Sequence, residues 1–331
     1  KKNNPDMSYI KNAFKMIFPY LEKNQTIILE SSVYPGATED IFVKKLSLKF
    51  KIGKNFFLSY SPERIDPGKN TDFKKIAFNK INKLISGYTK KCENKIYNLY
   101  KNIFANIHLC KSIKVAETSK LFENIFRAVN IGLVNEMKIL THKMNLNIHD
   151  VVESAGTKPF GFKKFVPGPG VGGHCIPVDP IFMQWVAKKN NYRAKFIDLG
   201  AKMNFKITNW IIEKIRNSII KKKNVKCLIL GVTYKRNIND VRESPSLKII
   251  KNLKRIKNCK VDFMDPYVKE IKIDKKIYKS INVKNYRKYD LVVLCTDHYK
   301  FNYKKILNES RKIIDTRGKF KDSKLNKIIH L

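Results

Sequence analysis

The 331-residue chain reads as an α/β protein with parallel-sheet units at its two ends and a helical middle. Three observations predict this. Short apolar runs of strand type alternate with helical stretches over the first ~110 residues and again beyond about residue 225, the pattern of sheets covered on both faces. Between them, Val115, Phe122, Ile125, Phe126, Val129 and Leu133 recur at helical spacing, which predicts one long central helix. Hydrophobic residues make up 43 % of the chain, enough to bury a substantial core at this length.

The elements follow in order. Residues 26–29 form a strand ended by the Pro35-Gly36 turn, and 56–60 form another closed by Pro62. A helix is expected over about 89–104, then a strand near 107–109. The long central helix follows, then a loop rich in Gly and Pro, then a second long helix over about 194–221. Alternation resumes with strands at 227–230, 261–264, 291–294 and 313–314 and a helix near 246–257. Ligands of open α/β sheets sit beyond the strand C-termini, which draws attention to Gly231, Thr296 and Asp315.

Composition narrows the function. The formal charge is +40, which raises nucleic-acid binding as a reading. Of the 68 basic residues only 10 are Arg, and the lysines are scattered through every segment. Nucleic-acid binders more often cluster charge on one face and favour Arg for bidentate phosphate contacts, so no specific nucleic-acid partner is expected. The six cysteines form no C-x-x-C pair and show no zinc spacing, so free thiols in a reducing cytoplasm and no metal are expected. No apolar run approaches the length of a membrane span, and the first residues lack a signal-peptide core.

The most informative stretch is Pro167-Gly168-Pro169-Gly170-Val171-Gly172-Gly173-His174-Cys175-Ile176-Pro177-Val178-Asp179-Pro180. Glycines let backbone approach a ligand closely and prolines hold that approach in one shape. A cysteine in such a loop is presented to a bound molecule. The other five cysteines read as incidental or packing thiols. Lys120 and Asn124, four residues apart on the central helix, face one side of it.

This stretch resembles the cysteine loop of the nucleotide-sugar 6-dehydrogenases, which oxidise UDP-sugars to UDP-uronic acids. Four further segments match that family in order: Glu30-Ser31-Ser32-Val33-Tyr34-Pro35-Gly36, Ser61-Pro62-Glu63-Arg64, Glu117-Thr118-Ser119-Lys120-Leu121-Phe122-Glu123-Asn124, and Tyr234-Lys235 through Asp240-Val241-Arg242-Glu243-Ser244-Pro245. The resemblance implies two Rossmann-like parallel-sheet domains, the first incomplete: 1–112 as the remainder of an NAD-binding domain, 113–222 as a central helical domain with the cysteine loop, and 223–331 as a UDP-sugar-binding domain. No G-x-G-x-x-G follows any strand, and residues from Pro5 onward resemble a segment well inside a full-length member. An N-terminally truncated chain is therefore expected, with a catalytically silent UDP-sugar-binding fragment as the alternative reading.

The resemblance also implies roles. Cys175 is the covalent nucleophile. Lys120 stabilises the developing oxyanion, paired with Asp179, and Asn124 orders a water or a sugar oxygen. Glu63 acts in acid/base work, and Ser32, in place of the usual Thr, holds the catalytic water. Ser32, Glu63 and Arg242 contact NAD. Phe160, Gly161, Phe162, Gly170, Gly172, Gly173, Lys235 and Arg317 bind the UDP-sugar. A homodimer through the central helix is the expected assembly. His174 with 176–179, and the neighbouring 156–162, resemble the UDP-N-acetylhexosamine branch. UDP-N-acetylglucosamine is favoured, ahead of UDP-N-acetylmannosamine, UDP-N-acetylgalactosamine and UDP-glucose.

Overall fold

Residues 5–64, 81–220, 222 and 224–331 are described in a computed structural model. By contact the chain forms two compact units. One is the chain up to Phe126 together with Val178–Ala194; the other is Arg127–Pro177 with Lys195–Leu331.

The first unit opens with helix α1 (Ser8–Ile17), strand β1 (Thr26–Leu29) and a π-helical turn, Glu39–Val43, running into the short α2 (Lys44–Leu46). Strand β2 (Phe57–Tyr60) follows, then β3 (Lys83–Gly87), helix α3 (Lys90–Tyr100) and β4 (Ile107–Leu109). Thr89 caps α3 by accepting from Cys92 N, which satisfies one of the free first-turn donors. The sheet runs β1-β2-β3-β4. Pairs β1/β2 and β3/β4 are parallel, but β2/β3 is antiparallel, with Ser59 opposite Gly87 and Tyr60 opposite Ser86. The sequence reading expected parallel strands throughout this half. An antiparallel pair needs no crossover helix, and alternation of apolar runs alone cannot report strand direction.

The helical middle consists of α4 (Ile113–Lys143), α5 (Ile148–Ala155), α6 (Cys175–Lys189) and α7 (Lys195–Ile219). Helices α4 and α7 match their expected positions, whereas α6 stands where an extended loop was expected. Within the second unit α4 and α7 meet at Gly132 and Gly200. A Cβ on Gly132 would lie 2.8 Å from the Gly200 carbonyl oxygen, so only glycine permits this spacing. Buried Asn204 seals the crossing, donating to Ala128 O at 2.8 Å and accepting from Asn135 Nδ2 at 3.1 Å.

The second unit continues through β5 (Val225–Leu230), α8 (Pro245–Leu253), β6 (Cys259–Met264), the hairpin β7 (Glu270–Ile273) and β8 (Lys276–Lys279), then β9 (Leu291–Leu294), α9 (Tyr303–Glu309), β10 (Ile313–Asp315) and β11 (Ile328–His330). The five-stranded sheet runs β11-β10-β9-β5-β6, and all its pairs are parallel. Alternate residues feed opposite faces. Cys227, Ile229, Leu291 and Val293 pack with Ile207, Ile211 and Ile215 of α7 and Ile249 and Leu253 of α8. Leu228, Leu230, Val292 and Leu294 pack with Tyr286, Ile306 and Phe320 on the other face. Gly231, Thr296 and Asp315 lie at strand C-termini, as expected from the sequence. Among the described residues no helix is long and apolar enough to cross a membrane.

Candidate functional site

In the first unit, α4 organises the candidate residues. Glu117, fully buried, accepts from Gly36 N at 2.5 Å, Thr38 N at 2.9 Å and Thr38 Oγ1 at 2.7 Å. It thereby fixes the turn that follows Ser32, which is half-buried. Burial pushes the Glu117 carboxyl above its usual range, against the pull of those donors. One turn on, Lys120 is half-buried. Another turn on, buried Asn124 donates from Nδ2 to Asp179 Oδ2 at 2.6 Å. Asp179 is 2 % exposed, so its carboxylate needs such donors. Asn124 is thus a described partner of Asp179, the carboxylate that the sequence reading paired with Lys120.

Strands β1 and β2 end side by side, with Leu29 opposite Tyr60. Their following loops stay joined: Ser61 N donates to Leu29 O at 3.0 Å and Glu63 N to Glu30 O at 3.2 Å. Glu63 is exposed and sits 3.5 Å from Lys83 Nζ. Arg64 pairs with Glu123 of α4 at 2.7 Å. Buried Tyr60 is driven to resist ionisation by burial and by the carboxylates of Glu117 and Asp179. Two parallel strand ends present a hydroxyl, Ser32, and a carboxylate, Glu63, at the edge beyond which ligands bind in open α/β sheets.

In the second unit, the glycine segment is clamped by the loop after β5. Gly173 N donates to Arg242 O at 2.9 Å. A Cβ on Gly172 would meet Tyr234 Cβ at 2.6 Å and Glu243 O at 2.8 Å; one on Gly173, at φ +83°, would meet the Tyr234 ring at 2.9 Å. Only glycines allow this contact. Gly170 lies against Thr208, whose Oγ1 donates to Pro169 O at 2.8 Å. Cys175 then opens α6 and is exposed. It is a helix N-terminal residue, not a loop residue. The first backbone N–H groups of a helix carry partial positive charge.

Arg242 is exposed and paired with Asp240 at 2.7 Å, which holds its guanidinium more firmly charged. The Lys235 loop is braced behind by buried groups. Thr233 Oγ1 donates to Lys235 O at 2.7 Å, and Asn237 N donates to His298 Nδ1 at 2.9 Å. His298 Nε2 lies 3.0 Å from Asp265 Oδ2. Arg317 is turned inward: its Nε donates to Cys295 O at 2.7 Å, and Gly168 leaves room for its guanidinium. Phe160, Gly161 and Phe162 are exposed in the 156–174 segment.

The other thiols pack. Cys92, Cys110, Cys227 and Cys295 are buried and Cys259 is partly so; Cys92 Sγ, read from sequence as incidental, accepts from Leu58 N at 3.4 Å. Sequence reasoning missed the grips of Glu117 and His298. The only signal for Glu117 is its place at the head of the helix motif that also holds Lys120 and Asn124.

Models of the UDP-glucose/GDP-mannose dehydrogenase family match along the chain: the NAD binding domain at 1–104, the central domain at 114–206 and the UDP binding domain at 228–322. The match at 1–104 stands although that stretch contains no G-x-G-x-x-G. The UDP-N-acetyl-D-glucosamine 6-dehydrogenase of Salmonella typhi is 34% identical over 306 residues, 90% of this chain and 70% of that protein. The UDP-N-acetyl-D-mannosamine dehydrogenase of Methanococcus vannielii is 34% identical over 300 residues, covering 89% of this chain and 65% of that protein. The solved UDP-D-ManNAc dehydrogenase of Pyrococcus horikoshii superposes with a TM-score of 0.82 at 29% identity, covering 96% of this chain and 74% of that one.

Proposed function

Because this chain belongs to the UDP-glucose/GDP-mannose dehydrogenase family and is an NAD-dependent nucleotide-sugar dehydrogenase, we propose that it oxidises the C6 alcohol of a UDP-N-acetylhexosamine, UDP-N-acetylglucosamine first among them, to the UDP-uronic acid. The observation that carries this reading is the buried Asn124–Asp179 hydrogen bond at 2.6 Å. It holds Asp179 to the turn of α4 that follows Lys120.

Alcohol to carboxylate is a four-electron oxidation. Ser32, Glu63 and Arg242 would hold NAD⁺, which would supply the acceptor of one hydride in each of two oxidations. The first oxidation removes a hydride from C6 and releases the hydroxyl proton to water, leaving an aldehyde. The Cys175 thiolate adds to that carbon, forming a C–S bond, and the carbonyl oxygen becomes an alkoxide stabilised by Lys120. Loss of the second hydride gives a thioester. A water positioned by Ser32 and activated by Glu63 adds to the thioester carbon. The C–S bond breaks and Cys175 leaves as thiolate with the acid as product. Asn124 orients the water or sugar oxygen, and Asp179 keeps local charge balanced near Lys120.

Lys235 and Arg317 supply cations for the diphosphate. Gly170, Gly172, Gly173 and the segment holding Phe160, Gly161 and Phe162 form the surface for uracil and sugar. Residues 1–112, 113–222 and 223–331 are the NAD-binding, central and UDP-sugar-binding domains. Phe122, Phe126, Leu133 and Leu140 are exposed on α4, and such an apolar stripe favours a homodimer through that helix. We assign the enzyme to the cytoplasm, where nucleotide sugars serve as precursors.

Assaying the protein with NAD⁺ and, in turn, UDP-N-acetylglucosamine, UDP-N-acetylmannosamine, UDP-N-acetylgalactosamine and UDP-glucose tests the reading. NADH should form in a two-to-one ratio to uronate, with the highest kcat/KM for UDP-N-acetylglucosamine. Preference for UDP-glucose would overturn the assigned branch.

A further inference from the structure

Lys138 is 1 % exposed, a rare state for a lysine, and it belongs to none of the motifs above. It lies on α4 and donates from Nζ to Thr316 O at 3.0 Å. Thr316 links Asp315, at the end of β10, to Arg317. Asp315 in turn accepts from Arg317 N at 2.9 Å and Phe320 N at 2.7 Å. The turn that aims Arg317 is therefore held from behind by Lys138 and from within by Asp315.

We propose that Lys138 is a positioning residue of the nucleotide diphosphate site, bracing the Arg317 turn through Thr316 O and taking up a proton when a diphosphate engages Arg317. The proposal rests on the reading of Arg317 as a diphosphate ligand.

Five charged or titratable groups face the Lys138 amine: Arg317 and Asp315 at the end of β10, Cys295 after β9, His149 of α5, and His142 one turn on along α4. Burial, then repulsion from Arg317, pushes the Lys138 amine down to about 7, while Asp315 pulls it upward. A diphosphate diester adds negative charge beside Arg317, offsets that repulsion and favours the charged amine. Burial pushes His149 down to about 4 and the Cys295 thiol up to about 12. Neither group exchanges protons around pH 8. UDP-N-acetylglucosamine has no terminal phosphate, so the ligand does not titrate there either.

The sign follows by linkage. Below the free-state value Lys138 is already charged and binding moves no proton. Above it, binding takes up a proton and affinity falls as pH rises, by up to about tenfold per pH unit. Titration calorimetry of the full chain with UDP-N-acetylglucosamine, in two buffers of different ionisation enthalpy at pH 6 and pH 8, measures this. We expect uptake approaching one proton per site at pH 8 and little at pH 6. Lys138→Met should abolish uptake and flatten the pH dependence of Kd. Lys138→Gln, which keeps a donor for Thr316 O, should restore the pH 6 affinity toward the parent's without restoring uptake. Arg317→Gln should weaken binding at both pH values. Parent-like binding by Arg317→Gln would overturn the Arg317 reading and the inference with it. Loss of binding in Arg317→Gln, together with no uptake in the parent or undiminished uptake in Lys138→Met, would overturn the Lys138 inference alone.

Discussion

Asn124 and Asp179 are joined by a 2.6 Å hydrogen bond in which both side chains are buried. The bond ties the fourth turn of α4 to the second turn of α6, across 55 residues of sequence. Asn124→Ala leaves the carboxylate without this donor, and a buried group deprived of its partner costs about 1–3 kcal/mol or more. Asn124→Asp should cost more, since it opposes two buried carboxylates. Urea unfolding of the variants checks this; unchanged midpoints would show that the pair is not held as described.

Glu117 should act on Ser32 through the 34–38 turn. Glu117→Gln puts an NH₂ group where either Gly36 N or the two Thr38 donors now point, and should destabilise by about 1–3 kcal/mol. It should also lower kcat. Because the folded-state pKa of Glu117 is raised above 4.5, its contribution to stability is fully present below that ordinary value and is lost as pH rises through the raised one. The gap between parent and Glu117→Gln should therefore narrow from pH 4 toward pH 8. A gap that widened would reverse the assignment.

Gly172→Ala forces a methyl into Tyr234 and the Glu243 carbonyl. Overpacking of this kind costs about 1–3 kcal/mol. The displaced segment leads directly into Cys175, so the rate of Cys175 alkylation by iodoacetamide should change as well. Parent-like alkylation and stability together would mean that the clamp does not position the cysteine.

Lys138 has a separate stability signature. Its folded-state pKa is depressed from 10.5 to about 7. The contribution it makes is complete above the unfolded value and is lost as pH falls through the folded one. Lys138→Met should thus be more stable than the parent at pH 6–7, by an amount on the order of a few kcal/mol, and the advantage should shrink toward pH 10. Thermal melts across that range check it, and an advantage that grew with pH would contradict it.

Much of the fold was legible because it rests on local pattern. Strand β9 and residues 227–230 of β5 are buried on both faces and read as unbroken apolar runs; α4 and α7 read by their spacing. Helix α6 was not legible. Pro177 lies in its first turn, where the lost N–H has no intrahelical partner, but Pro180 lies inside the helix and removes a backbone hydrogen bond; beside four glycines the two prolines signal a loop. The hairpin of β7 and β8 turns on Asp274 and Lys275, both at positive φ, without the Asn-Gly or Asp-Gly pair that announces such turns. The candidate site divides the same way. Cys175, Asp179, Asn124 and Arg317 stand in short motifs. The grips of Glu117 on Thr38 and of Lys138 on Thr316 span 79 and 178 residues, and no local pattern carries contacts so distant.

The most direct test of the account is Cys175→Ala, assayed with NAD⁺ and UDP-N-acetylglucosamine. With no thiolate to capture the aldehyde, uronate formation should be abolished. The affinity for UDP-N-acetylglucosamine should be kept, because the backbone of the clamped glycine segment is unchanged. Uronate produced by Cys175→Ala at a rate near the parent's would contradict covalent catalysis by Cys175.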